Sequence, residues 1–329
     1  MTVVYYEEDA DIEFLRDKFI GVIGYGSLGR PIALNLQDSG LKVLVGQRPD
    51  ESTAILEADG MPYNRIETVA NAATIILLLL PDEVMPQVYL EHIAPYLKKG
   101  DTLIFASGYN VAFGYIEPPP FVDVGLIAPR TIGAAVREKF EAGQGFYSFV
   151  AAAQDATGNI WQTILALAAG IGSLRAGAVE ITIEQEAELD LFIQQAILPT
   201  VHNMMVTAAN LLLEKGYPPE AAMMDLYISG EFTDYLERAS ESGLLHAFRL
   251  SSLTGQFGIF TRLERFNELK LERLMEITLD EIRNGDFSRE WAREYADGYP
   301  RLRRLLKKQE EMDLWELEQQ TIELLRGYI

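Results

Sequence analysis

Cysteine is absent from the 329 residues. Disulfides, thiolate metal sites and cysteine nucleophiles are therefore excluded, and a reducing, cytoplasmic compartment is the expectation. Histidine is scarce: His92, His202 and His246 are scattered without ligand spacing and read as structural. Positive charge is also in short supply, with Lys plus Arg at 28 against 49 Asp plus Glu and a formal net charge of −21. That balance excludes nucleic acid as a partner, because binding to it is dominated by phosphate neutralisation. It is equally unsuited to anionic membranes. Long hydrophobic runs are missing too: Ala72 to Leu80, the longest strongly apolar one, is far too short to span a bilayer, so no membrane partner is expected. Glu7, Glu8, Asp9 and Asp11 give the chain a start opposite in charge to a signal peptide. There is no G-x-S-x-G nucleophile motif, internal repeat or low-complexity stretch.

What is present suits a globular protein that binds a small molecule. Hydrophobic content is 48% and charged content 23%, enough to bury a sizeable core. The length favours two domains. Gly21 to Arg30 reads G-V-I-G-Y-G-S-L-G-R. The apolar Phe19, Ile20, Val22 and Ile23 lead into Gly24, Gly26 and Gly29, and helix-compatible residues follow from Pro31 to Asn35. This is G-x-G-x-x-G in the strand–turn–helix setting that gives the pattern meaning. Gly24 can make the turn, Gly26 leaves bare backbone for a pyrophosphate, and Gly29 lets helix and strand pack closely. The helix N-terminus offers N–H groups and a positive dipole end to the phosphates.

Strand and helix alternate from there. Strands are expected at Phe19–Ile23, Leu41–Gly46, Thr74–Leu80, Leu103–Ala106 and Val122–Ile127, with helices at about Leu28–Ser39 and up to Gly60, and a short unassigned piece near Asn64–Ala72. This pace predicts a parallel, doubly wound α/β sheet whose ligand lies outside the carboxyl ends of the strands. The loops at Gly24, Arg48, Pro81, Ser107 and Arg130 are singled out on that ground alone. After about Glu180 the pattern turns helical, with breakers at Gly216–Pro219, Gly243, Gly285 and Gly298–Pro300. The expected division is 1–182, a dinucleotide-binding Rossmann domain, and 183–329, an all-α domain for substrate binding and dimerisation.

At the tip of strand two, Arg48 would welcome a ribose 2′-phosphate, whereas Asp50 and Glu51 would repel one; the two acids tip the expectation toward NAD(H) over NADP(H). In the helical half, Glu184, Glu186, Glu188 and Asp190 sit one turn apart in pairs. A run of acids on one helix reads first as a solvated face, since a hard cation needs oxygens converging from several elements.

Taken together, these motifs resemble a ketol-acid reductoisomerase of the short class. The likeness is collinear: Val4-Tyr5-Tyr6 with Asp9-Ala10-Asp11; Gly24-Tyr25-Gly26-Ser27-Leu28-Gly29-Arg30 with Ala33-Leu34-Asn35-Leu36 and Asp38-Ser39-Gly40; Leu79-Leu80-Pro81-Asp82-Glu83-Val84. It continues through Gly170-Ile171-Gly172, Arg175-Ala176-Gly177, Glu188 with Asp190-Leu191-Phe192, Gly216-Tyr217-Pro218-Pro219-Glu220 and Gly285-Asp286-Phe287. The resemblance implies a Rossmann domain, a helical domain with a knotted path, and dimers whose helical domains build the active site. It also implies an alkyl migration on two Mg²⁺ ions, followed by hydride transfer from a nicotinamide.

Carried over position by position, the family's metal carboxylates fall on Asp190 and Gln194, and on Asp225 and Ser229. Its active-site His falls on Ser107, and its Lys on Arg130; its Ser-Asn-Thr-Ala-Glu stretch reads Ser252-Leu253-Thr254-Gly255-Gln256. Neutral side chains thus replace carboxylates that would balance a total charge of +4, so Mg²⁺ is not expected; Asp190 and Asp225 would be its ligands if any. The resulting expectation is a nicotinamide-dependent reductase without the isomerase step, acting on a small carbonyl or imine, with Asp190, Arg130 and Ser107 as catalytic residues. Arg130 would clamp a carboxylate substrate. Gly24, Tyr25, Gly26, Ser27, Leu28, Gly29, Arg48, Glu51, Pro81, Asp82 and Gly133 would meet the cofactor, and Gln194, Asp225, Ser229 and Ser252 the substrate. The partner is expected to be a second copy, as a homodimer or higher oligomer. The rivals are an authentic ketol-acid reductoisomerase and a non-catalytic dinucleotide-binding sensor or scaffold.

Overall fold

The computed structural model describes residues 2–48, 52–266 and 270–326. The chain forms two compact units, Met1–Asp190 and Leu191–Ile329. Their division falls within a helical stretch that begins at Ile183, later than the expected boundary at residue 182.

The first unit is built on nine strands: β1 (Val4–Tyr5), β2 (Phe19–Ile23), β3 (Lys42–Gly46), β4 (Tyr63–Asn64), β5 (Ile75–Leu78), β6 (Thr102–Phe105), β7 (Asp123–Pro129), β8 (Ser148–Gln154) and β9 (Ala178–Glu180). Their order is β1-β9-β8-β7-β6-β5-β2-β3-β4. From β4 through β7 every neighbouring pair is parallel. The sheet as a whole is mixed, however, because β8 runs antiparallel to β7 and β1 antiparallel to β9. This corrects the expectation of a wholly parallel sheet. The strand that turns it, S-F-V-A-A-A-Q, is alanine-rich and has little β-propensity to announce itself.

The helices that matter here are α1 (Gly29–Asp38), α2 (Ser52–Ala58), α3 (Ile66–Ala72), α4 (Gly133–Glu141), α5 (Ile160–Ile171) and α6 (Ile183–Phe192). Strand β5 shows why they lie on both faces. Side chains alternate along a strand, and all of β5 is apolar. Ile75 and Leu77 join a core with Ile32 and Leu36 of α1 and Ile164 and Leu167 of α5. Ile76 and Leu78 join a second core with Ile66 and Val69 of α3. The strand order reverses between β2 and β5, and a crevice opens outside the strand ends at such a switch point.

The second unit is helical, with no strand among its described residues. Its breaks fall where the sequence puts them: Gly216, Gly243 and Gly285 have positive φ, and so does Tyr299, just before the helix that Pro300 opens. Ala209, Met223 and Leu314 form a small core. By length and composition the helical stretch Ile183–Glu214 is apolar enough to cross a membrane, and little of it is buried. Leu198, Val201, Met204 and Leu211 lie exposed along it.

Candidate active site

The glycine turn between β2 and α1 is fixed by close contact. A side chain at Gly24 (φ 99°) would place its Cβ 2.5 Å from the Leu79 carbonyl oxygen, and one at Gly29 would lie 2.1 Å from that of Gly24. Gly26 is different: nothing stands within 4 Å of where its Cβ would be. That open, bare backbone at the start of α1 is the shape a dinucleotide pyrophosphate requires, so the turn fits the cofactor. Gly133 opens α4 on the far side of the same turn. Its missing Cβ would lie 2.0 Å from the Ser27 carbonyl oxygen, so it braces the cradle.

Tyr25, expected among the residues that meet the cofactor, has its side chain held by its own chain. It is buried, and its hydroxyl donates to Asp59 Oδ2 at 2.9 Å. Arg30 donates to both oxygens of the same carboxylate, from Nε at 2.6 Å and Nη2 at 2.8 Å. The phosphate turn is thereby clamped to the end of α2. Arg30 holds Asp59 below the usual carboxylate range, and burial raises the Tyr25 phenol. Arg48 is exposed at the tip of β3, whereas Asp50 and Glu51 lie outside the described residues.

The ends of β5, β6 and β7 bring the remaining candidates of this unit together. Asp82 and Ser107 follow the paired strands β5 and β6, with Ser107 Oγ 3.5 Å from Asp82 Oδ2. Asn110 donates from Nδ2 to the Asp82 carbonyl at 3.1 Å and to Oδ1 at 3.3 Å. The Tyr109 N–H donates to Ser107 Oγ at 3.3 Å. Arg130 follows β7 and reaches α6: Nη1 donates to Glu186 Oε1 at 3.0 Å and Nη2 to Asp190 Oδ1 at 2.9 Å. The second Glu186 oxygen accepts the Gly108 N–H at 2.6 Å, and the guanidinium lies 5.1 Å from the centre of the Phe149 ring.

Two sequence expectations are corrected here. The acids of α6 are not a uniform solvated face, since Glu186 is 1% exposed. The readable signal was its place with Ile183, Ala187 and Asp190 on one helical stripe, two of whose members are apolar. Burial pushes Glu186 up to about 7, aided by Asp190 and Asp82 and opposed by Gly108 and Arg130. Arg130, in turn, is not a free clamp for a substrate carboxylate, because both Nη atoms already hold carboxylates of its own chain. Asp82 is pushed up to about 6, first by burial and then by Glu83 and Asp190, while Ser107 opposes the shift.

The four substrate candidates of the helical unit lie on three elements, Asp225 and Ser229 sharing one turn and its cap. Gln194 is exposed in a π-turn, Ile193–Ile197, and Asp225 is exposed in another, Met224–Ile228. Ser229 Oγ accepts the Glu231 N–H at 3.3 Å, and Ser252 caps the helix Leu253–Phe260 by accepting the Gly255 N–H at 3.1 Å. Both serines therefore have local backbone work. Among the described residues no three His, Asp or Glu side chains group as a metal site. Asp190 is engaged by a guanidinium, and Gln194 and Ser229 carry no charge, so these residues do not fit a pair of Mg²⁺ ions.

Comparison with known proteins agrees with this layout. Residues 14–177 match the model described as acetohydroxy acid isomeroreductase, NADPH-binding domain. Residues 183–326 match ketol-acid reductoisomerase, C-terminal domain. The chain is 40% identical over 316 residues to a ketol-acid reductoisomerase (NADP(+)) of Methanothermobacter thermautotrophicus, covering 95% of this chain and 96% of that one. It is 40% identical over 304 residues to the corresponding protein of Sulfurisphaera tokodaii, covering 92% and 91%. Among solved structures, an NADH-preferring ketol-acid reductoisomerase from an uncultured archean superposes with a TM-score of 0.92 at 31% identity, covering 99% of each chain.

Proposed function

The chain belongs to the ketol-acid reductoisomerase family, and from that premise we propose that it is a nicotinamide-dependent oxidoreductase performing the reductive half of the family's chemistry on a small carbonyl substrate. One observation carries the reading: the guanidinium of Arg130 sits on Glu186 and Asp190, at 3.0 and 2.9 Å, where the resemblance calls for a metal carboxylate. With Gln194 and Ser229 neutral, a pair of divalent ions would be poorly compensated, and the alkyl migration would lose its electrophile. Reduction asks for less. A bound reduced nicotinamide supplies the hydride. Arg130 keeps N–H groups beyond the two it commits, and these can polarise a carbonyl oxygen. Ser107 presents a hydroxyl next in sequence to Gly108, whose N–H shares Glu186 with Arg130, and Glu186 holds a proton near neutral pH.

The cofactor class is NAD(P)(H). The preference for NAD(H) argued from Asp50 and Glu51 is not supported by the matching domain, which is NADPH-binding, or by the NADP(+) relatives; the NADH-preferring structure is the exception. The second reading is the complete reductoisomerase, and the names of the relatives by themselves favour it over reduction alone. Oxidation of NADH and of NADPH, followed with 2-acetolactate and with its already rearranged 2-oxo acid isomer, with Mg²⁺ and with chelator, separates the two. Turnover of the rearranged isomer in chelator is expected. Mg²⁺-dependent turnover of 2-acetolactate would establish the complete reaction instead, and cofactor binding without any turnover would leave a dinucleotide sensor. A second copy of the chain is the partner we propose, seated on the exposed Leu198, Val201, Met204 and Leu211; sedimentation equilibrium checks it.

A further inference from the structure

Asp82, expected to lie near the cofactor, also has a placement beside Ser107. It leaves β5 just as Ser107 leaves β6, so two parallel neighbours in register deliver a carboxyl and a hydroxyl to the same end of the sheet. The Ser107 oxygen accepts the Tyr109 N–H, which leaves its own O–H to find an acceptor, and Asp82 Oδ2 is 3.5 Å away. That separation is long for a resting hydrogen bond; such bonds tighten when a reacting group fills the site. The other side of the carboxyl is gripped by Asn110, which is 1% exposed and donates from Nδ2 to both Oδ1 and the Asp82 carbonyl. Asn110 therefore fixes Asp82 with Oδ2 turned to Ser107, and it stabilises whatever charge Asp82 acquires.

We propose that Asp82 is the proton reservoir of the site, acting through the Ser107 hydroxyl. The inference rests on the reductase reading above. Hydride adds to the carbonyl carbon of the substrate, and the C=O π pair moves to oxygen. That oxygen takes the Ser107 hydroxyl proton, Ser107 Oγ takes the Asp82 carboxyl proton, and the resulting carboxylate stays on the Asn110 amide until solvent returns a proton. The nicotinamide is oxidised and the carbonyl reduced. In this scheme Asp82 acts on the substrate only through Ser107, which it positions and recharges. The charged groups facing it are Glu83 in its own loop and Glu186 and Asp190 on α6, the last two neutralised in part by Arg130. Burial first, and then the charges of Glu83 and Asp190, keep its proton on, so the reservoir is loaded at mildly acid pH and drains as pH rises through about 6.

The test is Asp82→Asn, which keeps the shape and the bond to Ser107 but holds no titratable proton. Wild-type reduction is expected to fall as pH rises above 6, whereas D82N runs about 100-fold slower below that pH with a flat profile. Rates are compared at saturating NAD(P)H, set by fluorescence titration of each protein, so that any contact of Asp82 with the cofactor does not enter the comparison. Ser107→Ala should lose the same pH limb, and Ser107→Thr, which retains a hydroxyl, should restore it. Independently of turnover, the infrared carboxyl stretch of the cofactor-free protein should show one group titrating near pH 6 that is missing in D82N and present in S107A. An active wild type whose pH limb survives in D82N overturns the relay and leaves the reductase reading standing. A wild type inert toward every carbonyl, with the infrared titration intact, overturns the reductase reading and the relay with it.

Discussion

Arg130 bridges Glu186 and Asp190, residues one helical turn apart, with one Nη on each carboxylate. The two acids differ sharply in setting, the Glu186 side chain being 2% exposed and that of Asp190 37%. Removing the cation therefore strands one charge in the interior and returns the other to water. Arg130→Met is expected to destabilise the first unit by about 2 kcal/mol at pH 8, less than a fully buried pair would lose. The cost should shrink at pH 5, because Glu186 ionises only at about 7 and is already neutral there. Its folded value lies above its unfolded one, so the stability it contributes is full below pH 4.5 and is lost as pH rises through 7. Glu186→Gln should flatten that slope by up to about 3 kcal/mol. Urea denaturation of the wild type and both variants between pH 4 and 9 checks the set; a loss for R130M that does not depend on pH would refute the assignment.

Much of this could be read from the chain. The strand–turn–helix around Gly24 and the apolar β5 announce themselves because a backbone turn and a two-sided core each demand particular residues. The helix breaks at Gly216 and Tyr299–Pro300 were legible for the same reason. Glu186 was not. A carboxylate next to three other acids looks solvated, and only tertiary packing, which brings the Gly108 N–H to 2.6 Å and Arg130 Nη1 to 3.0 Å, makes its burial tolerable. Nor could the pairing of Arg130 be read, since its partners lie 56 and 60 residues further along the chain. Local patterns reveal elements; they do not reveal which charges tertiary structure brings together.

The three glycines of the turn, with Gly133, should separate folding from binding. At Gly29 and Gly133 a Cβ would meet a carbonyl oxygen at 2.1 and 2.0 Å, which no rotamer change relieves. Gly29→Ala and Gly133→Ala are expected to lower the melting temperature by many degrees, in line with overpacking costs of about 1–3 kcal/mol or more. Gly26→Ala has room in the free protein and should melt with the wild type. Its methyl group would occupy the space a pyrophosphate needs, so NAD(P)H affinity should fall at least about tenfold, roughly 1.4 kcal/mol. Calorimetry paired with fluorescence titration decides it, and wild-type affinity in G26A would mean that the phosphates bind elsewhere.

Cofactor preference turns on charge at the end of β3. A ribose 2′-phosphate is a dianion at neutral pH, and Arg48 is followed within three positions by Asp50 and Glu51. Arg48 would attract that phosphate and Asp50 and Glu51 would repel it, whereas a 2′-hydroxyl feels neither. The wild type is therefore expected to bind both dinucleotides with only a modest difference. The double substitution Asp50→Asn with Glu51→Ser should shift the NADPH-to-NADH affinity ratio upward by about tenfold, the effect of roughly 1.4 kcal/mol. Arg48→Ala should shift it the other way. Both shifts should weaken with added salt, because exposed charges are screened over about 10 Å at 0.1 M ionic strength. If the ratio stays fixed in both variants while overall affinity changes, the adenosine ribose lies away from this loop and the discrimination belongs to other residues.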